Sequence, residues 1–237
     1  MKTTLSAPDL AFVPETRIGF WFLGTQTWTT HVLRVALDDL ERLMPQRQPS
    51  YPIVLDAGCG QGKSFRLLIE RFSPQRLIGV DAEVKCLRHA QAEALKENIP
   101  IELRHCDIAA LDIADASVDL VFCHQTFHHL SRQQMALAQM FRVLKPGGLL
   151  LFAESTRAYI HSWIIRLLFR HPMHAQRSAD EYLAMIRDQG FNFGSQNVSL
   201  PYLWWSRSDL GAFEWFGFGV PAQREETLVN LVAVKPG

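Results

Sequence analysis

Between residues 53 and 62 the chain reads Ile-Val-Leu-Asp-Ala-Gly-Cys-Gly-Gln-Gly. A short apolar run ends in Asp56, and glycines then alternate at 58, 60 and 62 before a helical pattern begins. This predicts a buried strand that turns tightly into a helix. Three missing side chains let the backbone approach a ligand closely, and a helix N-terminus favours a negative or polar group. A second apolar run, Leu77-Ile-Gly-Val-Asp81, follows and also ends in an acid. A carboxylate at the tip of the second strand of a βαβ unit is placed to accept hydrogen bonds from a ribose diol. The pair specifies a nucleoside-containing ligand.

The elements that must hold these residues follow from the hydrophobic pattern. Strands are predicted near 53–56, 77–81, 101–105, 118–123 and 148–153, and helices near 62–72, 83–97 and 132–144. That alternation gives an α/β fold with a parallel, doubly wound sheet. Residues 144–148, Leu-Lys-Pro-Gly-Gly, read as a helix stop and a turn into a strand. Ahead of the sheet, residues 1–16 read as a loose arm. Residues 17–44 are aromatic and then helical, and residues 45–52 form a linker. Beyond residue 155 the spacing predicts one amphipathic helix over 159–170 and a second over 178–189, capped by Ser178 and stopped by Gly190. Two further strands are expected near 196–202 and 226–235, with an aromatic-rich stretch between them.

Composition narrows the class. The 237 residues are 48% hydrophobic, with 24 Lys+Arg against 24 Asp+Glu. This suits one large domain and supplies no basic run for nucleic acid. The four cysteines, Cys59, Cys86, Cys106 and Cys123, are scattered. They read as reduced core thiols of a cytoplasmic protein, and no spacing suggests a metal site. His161, His171 and His174 are set aside for the same reason. No apolar stretch reaches the length of a membrane span, and no secretory leader is expected. The sequence does not set an oligomeric state.

Three chemistries compete for the glycine loop. A dinucleotide loop needs a third glycine where Lys63 stands. A phosphate-binding P-loop is approached by residues 57–64, in which Lys63 and Ser64 are the residue types that grip phosphate and magnesium. The fourth strand, however, runs into Cys-His-Gln and offers no acid for a magnesium shell. The third pattern, G-x-G-x-G, resembles the class I S-adenosylmethionine-dependent methyltransferases. The resemblance runs in order through Val54-Leu-Asp-Ala-Gly-Cys-Gly-Gln-Gly62, Leu77-Ile-Gly-Val-Asp-Ala82 and Arg104-His-Cys-Asp-Ile108. It continues through Val118-Asp-Leu-Val-Phe-Cys-His-Gln-Thr-Phe-His-His-Leu130 and Leu144-Lys-Pro-Gly-Gly-Leu-Leu-Leu-Phe152.

The resemblance implies a mostly parallel seven-stranded Rossmann-like sheet closed by an antiparallel C-terminal strand pair. It also implies helical and aromatic insertions near 156–178 and 203–224. Residues 1–45 would be an arm and lid helix on a methyltransferase domain spanning 46–237. With S-adenosylmethionine as cofactor, Gly58, Cys59, Gly60 and Gly62 would border the methionyl and ribose parts, with Asp56 near the ammonium. Asp81 would take the ribose hydroxyls. Ala82, Asp107 and Ile108 would meet the adenine, and His124 and Gln125 the methionyl end. Asp81 and Asp107 also read as ordinary caps or turn formers.

The acceptor side is less determined. His128 and His129 follow the fourth strand and could take a proton from a hydroxyl, although each singly reads more readily as a capping or core histidine. Glu154 is expected to meet substrate, and His31 is a weaker candidate. Trp21 and Trp28, with Phe20 and Phe22, would form a lid. Trp204 and Trp205, with Trp215 and Phe216, would wall an acceptor pocket, against the competing reading that they pack a core. So many aromatics favour a small, partly apolar or aromatic acceptor, methylated on O or C, over a sugar or a nucleic acid. The two arginines of the 159–170 helix permit contact with a membrane surface, and packing on the domain is the ordinary expectation. Two other functions stay open at this level: a P-loop nucleotide hydrolase, and a non-catalytic binding protein on the same fold.

Overall fold

A computed structural model describes Val13, residues 15–220 and residues 224–237. Most of the expected arm over residues 1–16, and part of the 203–224 insertion, lie outside these. Seven strands form one sheet: β1 (Ile53–Ala57), β2 (Arg76–Asp81), β3 (Glu102–His105), β4 (Val118–His124), β5 (Leu144–Ser155), β6 (Val198–Ser199) and β7 (Leu228–Val234). Their order is β3-β2-β1-β4-β5-β7-β6. β1 to β5 pair in parallel, while β7 runs antiparallel to both β5 and β6. The helices are α1 (Arg17–Leu23), α2 (Gln26–Trp28), α3 (Arg34–Leu43), α4 (Phe65–Phe72) and α5 (Val84–Lys96). They continue with α6 (Gln133–Val143), α7 (Arg157–Ile160), α8 (Trp163–Leu168), α9 (Ala179–Asp188) and α10 (Ala212–Trp215). A π-helical turn, Thr29–Leu33, joins α2 to α3.

The central strands are apolar throughout because both faces are covered. Alternate residues go to opposite sides. Leu55, Ile78, Val121 and Phe152 pack with α6 and α9 through Leu137, Met140, Tyr182 and Ile186. Val54, Leu77, Leu120 and Leu151 pack with α3, α4 and α5 through Leu37, Leu40, Phe65, Leu68 and Ala90. Each fully buried aliphatic side chain contributes about 1.5–3 kcal/mol of transfer free energy.

The chain leaves β1 for β2 on one side, and β4 lies on the other. Such a reversal opens a crevice beyond the carboxyl ends of the strands. The register sets Asp56 opposite Phe122 of β4 and Ala57 opposite Val80 of β2, so the loops after β1, β2 and β4 share that crevice.

Three expectations are corrected. The single helix over 159–170 is two short ones, α7 and α8, broken at His161–Ser162, where Ser162 is extended at ψ 146°. The strand near 196–202 is only Val198–Ser199, preceded by a 3-10 turn over Ser195–Asn197. Residues 144–148 are not a turn ahead of β5 but its first part, absorbed by a register shift against β4 between Val118 and Leu120.

Candidate functional site

The three loop glycines have different reasons to be glycine. All have positive φ: 87° at Gly58, 52° at Gly60 and 77° at Gly62. A Cβ at Gly58 would lie 2.1 Å from the Thr126 side chain, and one at Gly62 would lie 2.5 Å from Phe65. These two serve packing. A Cβ at Gly60 would meet nothing within 4 Å, so this glycine keeps open the space where a ligand would lie. The Gly60 N–H donates to Asp81 Oδ2 at 2.9 Å, and the Glu83 N–H donates to Oδ1 at 2.8 Å. Asp81 is thereby fixed facing the loop, and burial pushes its carboxyl up to about 6.

Asp56 is buried and accepts from the Ser64 hydroxyl, with its carboxyl raised by burial to about 7. Lys63 pairs with Glu93 at 3.0 Å. The two residues a P-loop would use are therefore held by partners within the fold. Cys59 is buried, its backbone N–H donates to Val80, and burial holds its thiol well above the usual range. Asp107 caps the 3-10 turn Ile108–Ala110 through the Ala109 N–H at 2.8 Å, and its other oxygen pairs with Arg132. It nevertheless borders the same cleft, together with Ala82 and Ile108. Its structural and ligand-facing readings therefore coexist.

His124 and Gln125 close the cleft beyond β4. His124 is buried between Phe122 and Trp28, its ring centroid 5.8 and 5.5 Å from theirs. Burial lowers its pKa to about 3, and its Nε2 has no partner. Gln125 sits at φ 50°, in a conformation that side chains rarely adopt, and accepts from the Ser155 hydroxyl at 2.6 Å.

A second cavity of about 390 Å³ adjoins the first. It is walled by Trp21, Trp28, His31, Ile164, Trp204 and Trp205, among others. Glu15, Leu23, Trp28, Gln125 and His129 border both spaces. α1 is held from the loop side: Gln61 Nε2 donates to the Phe20 carbonyl at 2.6 Å, and Lys85 Nζ lies 3.5 Å over the Phe20 ring. Trp215 and Phe216 are corrected, being 84% and 68% exposed and bordering neither cavity.

Glu154 is likewise corrected. It is wholly buried beneath the second cavity rather than in it. Its Oε1 accepts from the Thr126 and Phe127 N–H groups at 2.8 and 2.7 Å, and its Oε2 accepts from His128 Nδ1 at 2.6 Å. The carboxylate thus fixes the His128 ring and leaves Nε2 for the cavity. His129 Nε2 lies 3.2 Å from Glu15, whose carboxyl burial pushes up to about 7. Two participants escaped the sequence reading. Glu15 stands ahead of any recognisable element. His171 reaches the His128–His129 pair only because the α7–α8 segment folds back, and no residue spacing carries that distance.

The geometry fits a nucleoside ligand with a diol at Asp81 and a polar tail toward Asp56 and His124. Residues 54–148 match a family model described as a methyltransferase domain. Residues 54–148 thus read as a methyltransferase domain, and the chain is similar to S-adenosylmethionine-dependent methyltransferases. This methyltransferase domain is 36% identical over 104 residues to a probable S-adenosylmethionine-dependent methyltransferase of Mycolicibacterium smegmatis, covering 44% of this chain and 38% of that one. It is 38% identical over 97 residues to the trans-aconitate 2-methyltransferase of Azoarcus, covering 41% and 36%. The matches thus span under half the length of these relatives. The fold resembles an S-adenosylmethionine-dependent methyltransferase from Mesorhizobium loti, with a TM-score of 0.61 at 17% identity over 89% of this chain and 98% of that one. The family's cofactor, S-adenosylmethionine, suits the open space at Gly60 and the acid at Asp81. Among the described residues, no helix is long and apolar enough to cross a membrane.

Proposed function

We propose that the chain transfers the methyl group of S-adenosylmethionine to a small, partly apolar or aromatic acceptor, on oxygen or carbon. The observation that carries this reading is the junction of two spaces. A cleft lined by Asp56, Gly60 and Asp81 meets an aromatic-walled cavity at Trp28, Gln125 and His129. When bound, the cofactor supplies an already activated methyl group on a sulfonium. The protein must therefore position both partners and exclude water, and proximity alone can contribute roughly 7–11 kcal/mol.

Asp81 would hold the ribose hydroxyls, with Asp56 and His124 at the amino-acid end. The neutral His124 ring and the Trp28 indole would present an apolar floor to the methyl group. His128, fixed by Glu154, offers its remaining nitrogen to an acceptor hydroxyl as general base. The lid over residues 17–28, held by Gln61, would shut water from the junction. A P-loop hydrolase is disfavoured by the Lys63–Glu93 pair and by the Ser64–Asp56 bond. The test is a panel of phenols, carboxylic acids, enolisable small molecules, sugars and nucleic acid assayed for S-adenosylhomocysteine release. Turnover that favours aromatic acceptors supports the reading, and turnover confined to sugars or nucleic acid overturns it.

A further inference from the structure

Three imidazoles meet at the floor of the aromatic cavity. His128 and His129 occupy the 3-10 turn after β4, and His171 comes from the loop after α8. Their ring centroids lie 4.3, 5.1 and 4.8 Å apart for 128–129, 128–171 and 129–171. One ring nitrogen from each lies within 4.8 Å of the others. Two of the rings are backed by carboxylates: His128 Nδ1 by Glu154 at 2.6 Å and His129 Nε2 by Glu15 at 3.2 Å. In each, the opposite nitrogen is left as a lone-pair donor. His129 Nδ1 is buried with no hydrogen-bond partner at all. An unpartnered buried acceptor is costly.

We propose that His128, His129 and His171 bind one divalent transition-metal cation of the zinc class, with Glu154 and Glu15 as the carboxylates that orient the ligands. A carboxylate behind the far nitrogen is the arrangement that orients metal-bound histidines and raises their basicity. Three imidazole nitrogens suit zinc, cobalt or nickel rather than the oxygen-seeking magnesium and calcium. A tetrahedral zinc holds its nitrogens roughly 3.4 Å apart, so the rings would close by up to about 1.4 Å on loading. Three protein ligands leave a fourth position, and all three histidines border the acceptor cavity. An acceptor oxygen taking that position would lie beside the junction with the cofactor cleft. This use of the metal rests on the methyl-transfer reading, whereas the site itself does not. With a cation bound, the free nitrogen of His128 is a ligand, and activation of the acceptor passes from base to Lewis acid.

The test uses untagged full-length protein, stripped with chelator and titrated with Zn²⁺ or Co²⁺. Metal content is read by mass spectrometry and the cobalt form by its visible absorption. One equivalent is expected, with a ligand-field spectrum of nitrogen donors. Glu15→Gln should weaken binding by about 10–100-fold, the range for a lost outer carboxylate, and His171→Ala by more. His171→Phe, which keeps the ring volume, guards against misfolding, as does S-adenosylhomocysteine binding, which should stay within about threefold in both His171 variants. His161→Ala, an exposed histidine, should change nothing. Failure to take up one equivalent, or undiminished uptake in both His171 variants, overturns the site. Failure of the wild type to bind S-adenosylhomocysteine would overturn the methyl-transfer reading and leave the metal result standing.

Discussion

At the scale of single residues, Asp81 and Gly60 carry the cofactor assignment, and each makes a separable prediction. In the proposed pose Asp81→Ala would remove two charge-assisted hydrogen bonds to the ribose, each worth about 1.5–3 kcal/mol, so S-adenosylhomocysteine affinity should fall by at least tenfold. Burial raises the carboxyls of Asp81 and Asp56 to about 6 and 7, and the cofactor's hydroxyls and ammonium favour their charged forms. Binding therefore releases protons, and affinity should drop as pH falls from 7 to 5, by at most about tenfold per pH unit per group. Asp81→Asn should flatten that profile, which calorimetry across pH would show. The same shifts run the other way for the empty fold. A raised carboxyl contributes stability that is complete below about pH 4 and lost as pH rises through 6 to 7. The acids and glycines of this site were legible because each sits at a strand tip marked by an apolar run. Glu154 was legible as a residue but not in its role, since nothing in the spacing says that a strand-tip carboxylate turns inward to two backbone N–H groups and a histidine.

At the scale of elements, the β1–α4 loop separates packing from ligand space. Gly58→Ala drives a methyl into Thr126 and should lower the melting temperature clearly, whereas Gly60→Ala adds only the left-handed backbone cost of about 1–2 kcal/mol. Gly60→Ala should nonetheless lose cofactor affinity, because its methyl enters the open space; unaltered binding in this variant would place the ligand elsewhere. The lid makes a kinetic prediction. Gln61→Ala frees the Phe20 carbonyl and should quicken S-adenosylhomocysteine release in stopped-flow measurements, with the melting temperature of the empty protein little changed. Elements with a full hydrophobic period and a cap, such as α9 with its Ser178–Glu181 capping box, appear where the pattern put them. The 159–170 segment does not, because its apolar residues keep helical spacing straight through the break at Ser162. Periodicity records which residues are apolar, whereas the break depends on where Ile160 and Ile165 find burial against the rest of the fold.

At the scale of the whole molecule, the sheet order follows from motifs that mark each strand's end, so most of the architecture was readable. The meeting of His128, His129 and His171 was not, since it depends on how the α7–α8 segment folds back over β4. The same insertions leave Trp163, Leu167, Trp204, Trp215, Phe216 and Phe218 exposed by 58–84%. Exposed apolar side chains such as Trp163 and Leu167 would suit contact with a lipid surface, from which an apolar acceptor could enter the cavity. Sedimentation with anionic phospholipid vesicles should carry down the wild type and much less of Trp163→Ser/Leu167→Ser; equal recovery of both would exclude that route.

The most direct test of the central claim is isothermal titration of the purified chain with S-adenosylmethionine and S-adenosylhomocysteine, with Mg-ATP as control. One site of micromolar affinity for the adenosyl ligands, and none for ATP, is the predicted result. Binding of ATP alone, abolished by Lys63→Ala, would contradict it and return the glycine loop to phosphate chemistry.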